Sequence, residues 1–213
     1  MDVHGGPRPG QATAAGRRHH SALIAARDED DALTEYELVW WSQGVLLGGY
    51  ETTANHLGSG IIYLLTHPDQ LALLRNDPSL VPRAVEECLR MEVLLGSPAA
   101  LRCAEDDITT LDGVVIPKGA GVIPLMESAN YDESVFPEPD TSDIHRPNSH
   151  RHMAFSSGPH RCVGAAVARI ELQTAMTALL HRFPNLRLAV EPTELRRQQG
   201  GVIEGFVHIP VTW

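Results

Sequence analysis

Phe155-Ser156-Ser157-Gly158-Pro159-His160-Arg161-Cys162-Val163-Gly164 is the stretch on which the reading of this chain turns. Cys162 lies between two glycines, His160 precedes it by two residues, and a helical pattern begins at Val163. Gly158 lets the backbone turn tightly, and Gly164 lets a large flat ligand approach the start of the helix. A cysteine at a helix N-terminus faces unpaired backbone N–H groups and the positive end of the dipole, and both favour thiolate. Cysteine ligation of a haem iron needs this arrangement. Two alternatives compete. A buried structural cysteine has no need of flanking glycines. A zinc site built from His145, His150, His152 and His160 would favour paired short cysteine spacings, and a single cysteine lies here.

Working outward, the 213 residues suffice for one sizeable domain with a real core. Hydrophobic content of 43% and charged content of 21% are those of a soluble globular protein. A formal net charge of −10 argues against nucleic acid as a general partner. No apolar run is long enough to span a membrane, and no secretory leader pattern opens the chain. Cys88, Cys103 and Cys162 are too scattered for a disulfide framework and suit a reducing cytoplasm. Lys118 is the single lysine among 17 basic residues, a bias that resembles proteins of GC-rich bacteria.

Residues 1–20 read as a disordered lead-in and residues 21–213 as one domain. A short helix is expected over Leu23–Arg27, before an acidic turn. Thr34-Glu35-Tyr36-Glu37 has the form of a capping box and opens a proline-free run to Thr66. That run is about 30 residues, or roughly 45 Å of helix. Its apolar residues (Leu38, Trp40, Val45, Leu46, Leu57, Ile61, Leu64) recur all round, which predicts burial through the core. His67-Pro68 ends it. Short helices follow over Asp69–Arg75 and from Pro82 to about Glu92. Residues 108–124 predict short strands with turns at Asp112-Gly113 and Lys118-Gly119. Residues 130–149 are irregular, Val163–Phe183 is a helix, and Val202–Val211 a final hairpin. The class is mainly α with small β-sheets.

Within the long helix, Gly48-Gly49-Tyr50-Glu51-Thr52-Thr53 carries two glycines, each costing roughly 1 kcal/mol there. They predict a widened or kinked turn with a proton path through the acid and threonine, or else a close helix contact. Glu87-Cys88-Leu89-Arg90 sets an acid and a guanidinium on one helix face, and Glu86 is an adjacent rival for the acid role.

The cysteine stretch resembles the ligand loop of the cytochrome P-450 family, Phe-Gly-x-Gly-x-His-x-Cys-x-Gly, with Ser156 where the first glycine is usual. Four further segments resemble that family in the same order. Gly49–Thr52 is similar to its oxygen-binding helix. Glu87–Arg90, with Arg146 downstream, is similar to its Glu-x-x-Arg network. Leu101-Arg102-Cys103-Ala104-Glu105-Asp106 matches its Arg-x-Ala-x-Glu-Asp pattern, and Ala129-Asn130-Tyr131-Asp132 resembles Ala-Asn-Arg-Asp with Tyr131 in the arginine place.

The resemblance implies the C-terminal, haem-binding half of the P-450 fold, since family members are about twice this length. It implies haem b as cofactor, with Cys162 as the metal ligand and Phe155, Gly158 and Gly164 lining the site. Thr52 would hydrogen-bond bound O2, Glu51 would relay protons, and Gly49 would leave room. Arg102 would pair one haem propionate and His160 the other, although Arg102 also reads as an ordinary exposed arginine. Glu87, Arg90 and Arg146 would form a buried structural network. Residues 97–100 and 203–206 would lie along the substrate pocket.

The implied activity is a haem-thiolate monooxygenase that inserts one oxygen atom of O2 into a small apolar organic substrate. The alternative is a catalytically incompetent haem-binding fragment. Between His145 and Arg182 the charged residues are Arg146, Arg151, Arg161, Arg169, Arg182 and Glu171, a positive stretch in an acidic chain. It predicts a docking face for an acidic, ferredoxin-type redox partner, or else a set of unconnected arginines.

Overall fold

The computed structural model describes residues 24, 33–92, 101–198, 203 and 205–213. Two compact units, Met1–Tyr50 and Glu51–Trp213, divide the chain. The expected lead-in, the acidic turn, the Leu23–Arg27 helix apart from Ile24, and residues 97–100 lie outside the described residues.

Helix α1 spans Glu35–Thr66 without interruption. Its start is set by Thr34 and Glu37. The Glu37 N–H donates to Thr34 Oγ1 (3.2 Å), and the Thr34 N–H donates back to Glu37 Oε2 (2.8 Å). That backbone bond, ahead of the bond from the Thr34 hydroxyl, holds the Glu37 carboxyl below its ordinary value. The helix runs on unbroken through Gly48 and Gly49, and a Cβ added at either would meet nothing within 4 Å. Burial through the core also fails for the first half. In the Met1–Tyr50 unit Trp40 is 61% exposed and Leu46 70%, with Leu38 the buried exception. Only the second half, from Ser59 through Leu64, becomes buried. A helix that is apolar all round needs partners on every side, and in the first half Trp40, Trp41, Leu46 and Leu47 stay exposed.

In the unit Glu51–Trp213, helix α2 (Pro68–Asn76) follows at once, with Pro68 in its first turn. A 3₁₀ turn, Pro78–Leu80, leads into α3, Val81–Met91. Val81, Ala84, Val85, Cys88 and Leu89 form one apolar stripe of α3 at helical spacing. This stripe meets Leu64 of α1, Leu71 and Leu74 of α2, Ile144, Phe155, and Leu172 and Met176 of helix α5 (Ala165–Arg182) in a single core. A Cβ built at Gly60 would lie 3.5 Å from Met176 Cε and 3.7 Å from Cys88 Sγ, so three helices converge there. Burial drives the Cys88 thiol pKa up, as for an inert structural cysteine.

The strands are short and antiparallel. β1 (Arg102–Cys103) pairs with β4 (Gly121–Val122), and β2 (Ile108–Thr109) pairs with β3 (Val115–Ile116). Gly113 and Gly119 take φ of 85° and 82° in the two expected turns, a region open to glycine at little cost. A short helix, α4, covers Met126–Asn130. The final hairpin is corrected by the pairing. β6 (Val211–Thr212) pairs with β5 (Arg187–Leu188), and the expected Val202–Val211 hairpin lies partly outside the described residues. The bridged segments are instead 196–198 and 205–207, through Gln198 N–H to Gly205 O (2.8 Å) and Val207 N–H to Arg196 O (3.0 Å).

Candidate functional site

The Cys162 loop is built in three steps. A 3₁₀ turn, Ser149–Arg151, brings the chain to buried His152 and Phe155. Ser156 then takes φ 56°, the left-handed region that a glycine would occupy at less cost, with its N–H on Met153 O (2.8 Å). Gly158, at φ 74°, opens a second 3₁₀ turn, Gly158–His160, and returns the backbone. Closure comes from Cys162 N–H donating to Phe155 O at 2.9 Å. Gly164 caps α5, which begins at Ala165, two residues beyond the expected Val163.

Cys162 is exposed, as are His160 and Arg161, and a Cβ at Gly158 would meet nothing within 4 Å. An exposed thiol on a closed loop, just ahead of the positive end of an 18-residue helix, fits a group whose iron takes a cysteine thiolate. Arg102, on β1, is exposed with one guanidinium N–H on Leu101 O (3.0 Å). Glu51 and Thr52 sit half-buried on α1, and Gly49 is exposed.

Behind the loop lies the network of Glu87, Arg90 and Arg146. Glu87 and Arg90 are 0% exposed and Arg146 6%. Arg90 donates to both carboxylate oxygens of Glu87, each at 2.9 Å, and Arg146 Nε donates to Glu87 Oε1 at 3.2 Å. Arg146 also satisfies the carbonyls of Pro137, Glu138 and Thr141 (2.7, 3.0 and 2.9 Å). Asn130 extends this network. Its amide donates to Arg90 O (3.0 Å) and its oxygen accepts from Met153 N–H (2.6 Å). Tyr131, in the arginine place, donates to Met91 O (3.0 Å).

Glu86, left open as a rival in the sequence, faces elsewhere. It accepts from Arg169 Nε (2.6 Å) and from its second guanidinium nitrogen (3.0 Å), and it contacts His152 Nε2 (3.2 Å). Burial raises the Glu86 carboxyl, but the hydrogen bonds from His152 and Arg169 outweigh it and hold it at about 2. This cluster went unread in the sequence, where Arg169 counts toward the basic docking face. Two arginines of that stretch are engaged elsewhere. Arg146 is buried and Arg169 is neutralised by Glu86, which leaves Arg151, Arg161 and Arg182 exposed against Glu171.

The family model for Cytochrome P450 matches residues 12–204. The chain belongs to the cytochrome P450 family. It is 45% identical over 193 residues to nocardicin C N-oxygenase of Nocardia uniformis subsp. tsuyamanensis, covering 91% of this chain and 48% of that protein. It is 42% identical over 192 residues to the vitamin D3 dihydroxylase of Streptomyces griseolus, covering 90% of this chain and 47% of that one. Among P450 structures, the LnmA hydroxylase of Streptomyces atroolivaceus S-140 aligns with a TM-score of 0.83 and 41% identity, over 95% of this chain and 53% of that one. The chain thus spans about half the length of the curated relatives it matches. No described helix is long and apolar enough to cross a membrane.

Proposed function

We propose that this P450 chain carries the haem-thiolate half of a monooxygenase that inserts one oxygen atom of O2 into a small apolar organic substrate. The observation that carries this reading is the placement of Cys162, exposed on a loop closed by its own N–H to Phe155 O just ahead of α5. Haem b bound at Cys162 supplies the redox chemistry and O2 activation.

The chain's own residues supply position, charge and protons. The Phe155–Cys162 hydrogen bond fixes where the sulfur sits. The start of α5 at Ala165 places Cys162 just ahead of the N–H end of that helix. Arg102 and His160, exposed cations or donors, are the candidates for the two propionates. Glu51, half-buried beside Thr52, is the candidate to pass protons from water to the threonine hydroxyl. The Glu87–Arg90–Arg146 network holds the core behind the loop. Arg151 and Arg161 remain as the candidate docking charges for an acidic ferredoxin-type partner. Cys88, Cys103 and Cys162 are all unpaired thiols, which supports a reducing cytoplasm. The relatives' names, an N-oxygenase and a dihydroxylase, support oxygen insertion into an organic molecule.

A second reading, a haem-binding fragment without turnover, is favoured by the half-length match and by exposed apolar side chains such as Leu46 and Tyr50. A carbon-monoxide difference spectrum of the reduced, haem-supplied chain tests the ligand assignment. The wild type should show the thiolate-type Soret shift and Cys162→Ser should lose it. The same spectrum in both would overturn the assignment. Substrate turnover, measured with the chain alone and with a full-length relative as reference, then separates the two readings.

A further inference from the structure

Outside the Glu87 network, a second charged cluster reaches the cysteine loop from the adjacent acid on α3. Glu86 is held in a fork by Arg169 of α5. It also meets His152, whose side chain is 1% exposed. The Ala154 N–H donates to His152 Nδ1 at 3.0 Å, so the ring proton sits on Nε2 and points at Glu86. Phe155 lies between these two groups. The Arg169 guanidinium stands over its ring at 4.6 Å, and the His152 ring packs at 5.7 Å between centroids. The Phe155 carbonyl in turn receives the Cys162 N–H. One carboxylate on α3 therefore reaches the cysteine backbone through three side chains.

We propose that Glu86, His152 and Arg169 form a clamp that positions the Cys162 loop, with Arg169 the positioning residue and its charge, balanced by Glu86, part of the electrostatic setting of the Cys162 sulfur. Three features support it. The cation sits on the face of the residue that closes the loop, where a guanidinium and a ring attract. The fork and the buried histidine leave Arg169 one orientation, whereas a solvated arginine samples many. Arg169 and Cys162 also share Phe155, with the guanidinium over its ring and the Cys162 N–H on its carbonyl, which sets the cation on the residue that holds the cysteine. The electrostatic part rests on the haem-thiolate reading; the positional part stands without it.

Two measurements separate these parts. Hydrogen exchange at the Cys162 amide, in the chain as expressed, reads the position. Arg169→Gln and Glu86→Gln should each lose about tenfold or more in protection, the factor carried by one charge-assisted hydrogen bond. Arg169→Lys, which keeps the charge but not the fork, should fall between. Arg187→Gln, on β5 away from the cluster, serves as the control. Unchanged exchange at Cys162 in Arg169→Gln overturns the clamp.

The haem reduction potential of the loaded chain reads the charge. Glu86→Gln removes a negative charge and should raise the potential, Arg169→Gln should lower it, and Arg169→Lys should stay near wild type. A purely structural loosening would move both glutamine variants the same way, and that result overturns the electrostatic role. If the wild type shows no thiolate-type carbon-monoxide spectrum, the haem reading fails, while the exchange experiment still decides the clamp.

Discussion

Arg90→Met strikes the most deeply buried charge pair in the molecule's described residues. Arg90 and Glu87 are both 0% exposed, so no water replaces what the substitution removes. Glu87 Oε2 loses its Arg90 Nε donor, and Oε1 keeps only Arg146 Nε and the Asp143 N–H, both at 3.2 Å. The Asn130 carbonyl loses its donor as well. Methionine preserves much of the stem that packs near the Tyr131 and Phe136 rings, so the loss reports charge rather than a cavity. Breaking one partner of such a pair costs about 3–5 kcal/mol. Against a typical total of roughly 5–15 kcal/mol this is a large share, and it corresponds to a melting shift of roughly 10 °C. Urea unfolding of Arg90→Met, Glu87→Gln and the double variant measures it. The double variant should lose less than the sum of the singles, because the stranded carboxylate is gone. A wild-type midpoint for Arg90→Met, or strict additivity, would refute the reasoning.

Three further outcomes follow from the same structure, beside the spectral loss expected of Cys162→Ser. Burial holds the His56 imidazole at about 4 against an ordinary 6.5. The unfolded chain therefore takes the proton first, and stability falls by roughly 1.4 kcal/mol per pH unit from about pH 6.5 to about pH 4. His56→Leu should flatten that slope in urea titrations run between those limits, and an unchanged slope assigns the proton elsewhere. Ser156→Gly should raise the unfolding free energy by roughly 1 kcal/mol, because Ser156 holds φ 56°; a less stable variant would show that the serine side chain outweighs the backbone. With a full-length partner-competent form, Arg151→Glu or Arg161→Glu should slow reduction by an acidic iron–sulfur protein and weaken its salt dependence. Rates indifferent to both changes would move the docking face.

What the sequence determined by itself is local. The Thr34–Glu37 box closes within four residues, Pro68 and Pro82 act through their own rings, and Gly113 and Gly119 through their own φ. The helices between Glu35 and Met91, the one from Ala165 and the two glycine turns were therefore legible at nearly their observed bounds, unlike Met126–Asn130, and so was the Cys162 loop, whose closing bond joins residues 155 and 162. Tertiary structure decided what depends on distant partners. Adjacent Glu86 and Glu87 lie about 100° apart around α3. Only packing shows that Glu87 turns to Arg146 and Glu86 to Arg169, 83 residues away. Burial of α1 likewise depends on packing, which covers Ile61 and Leu64 but leaves Trp40 and Leu46 exposed although all four fit the apolar pattern. The pairing of β5 with β6 over a skipped ribbon was invisible for the same reason: two-residue strands carry too little pattern to name their partners.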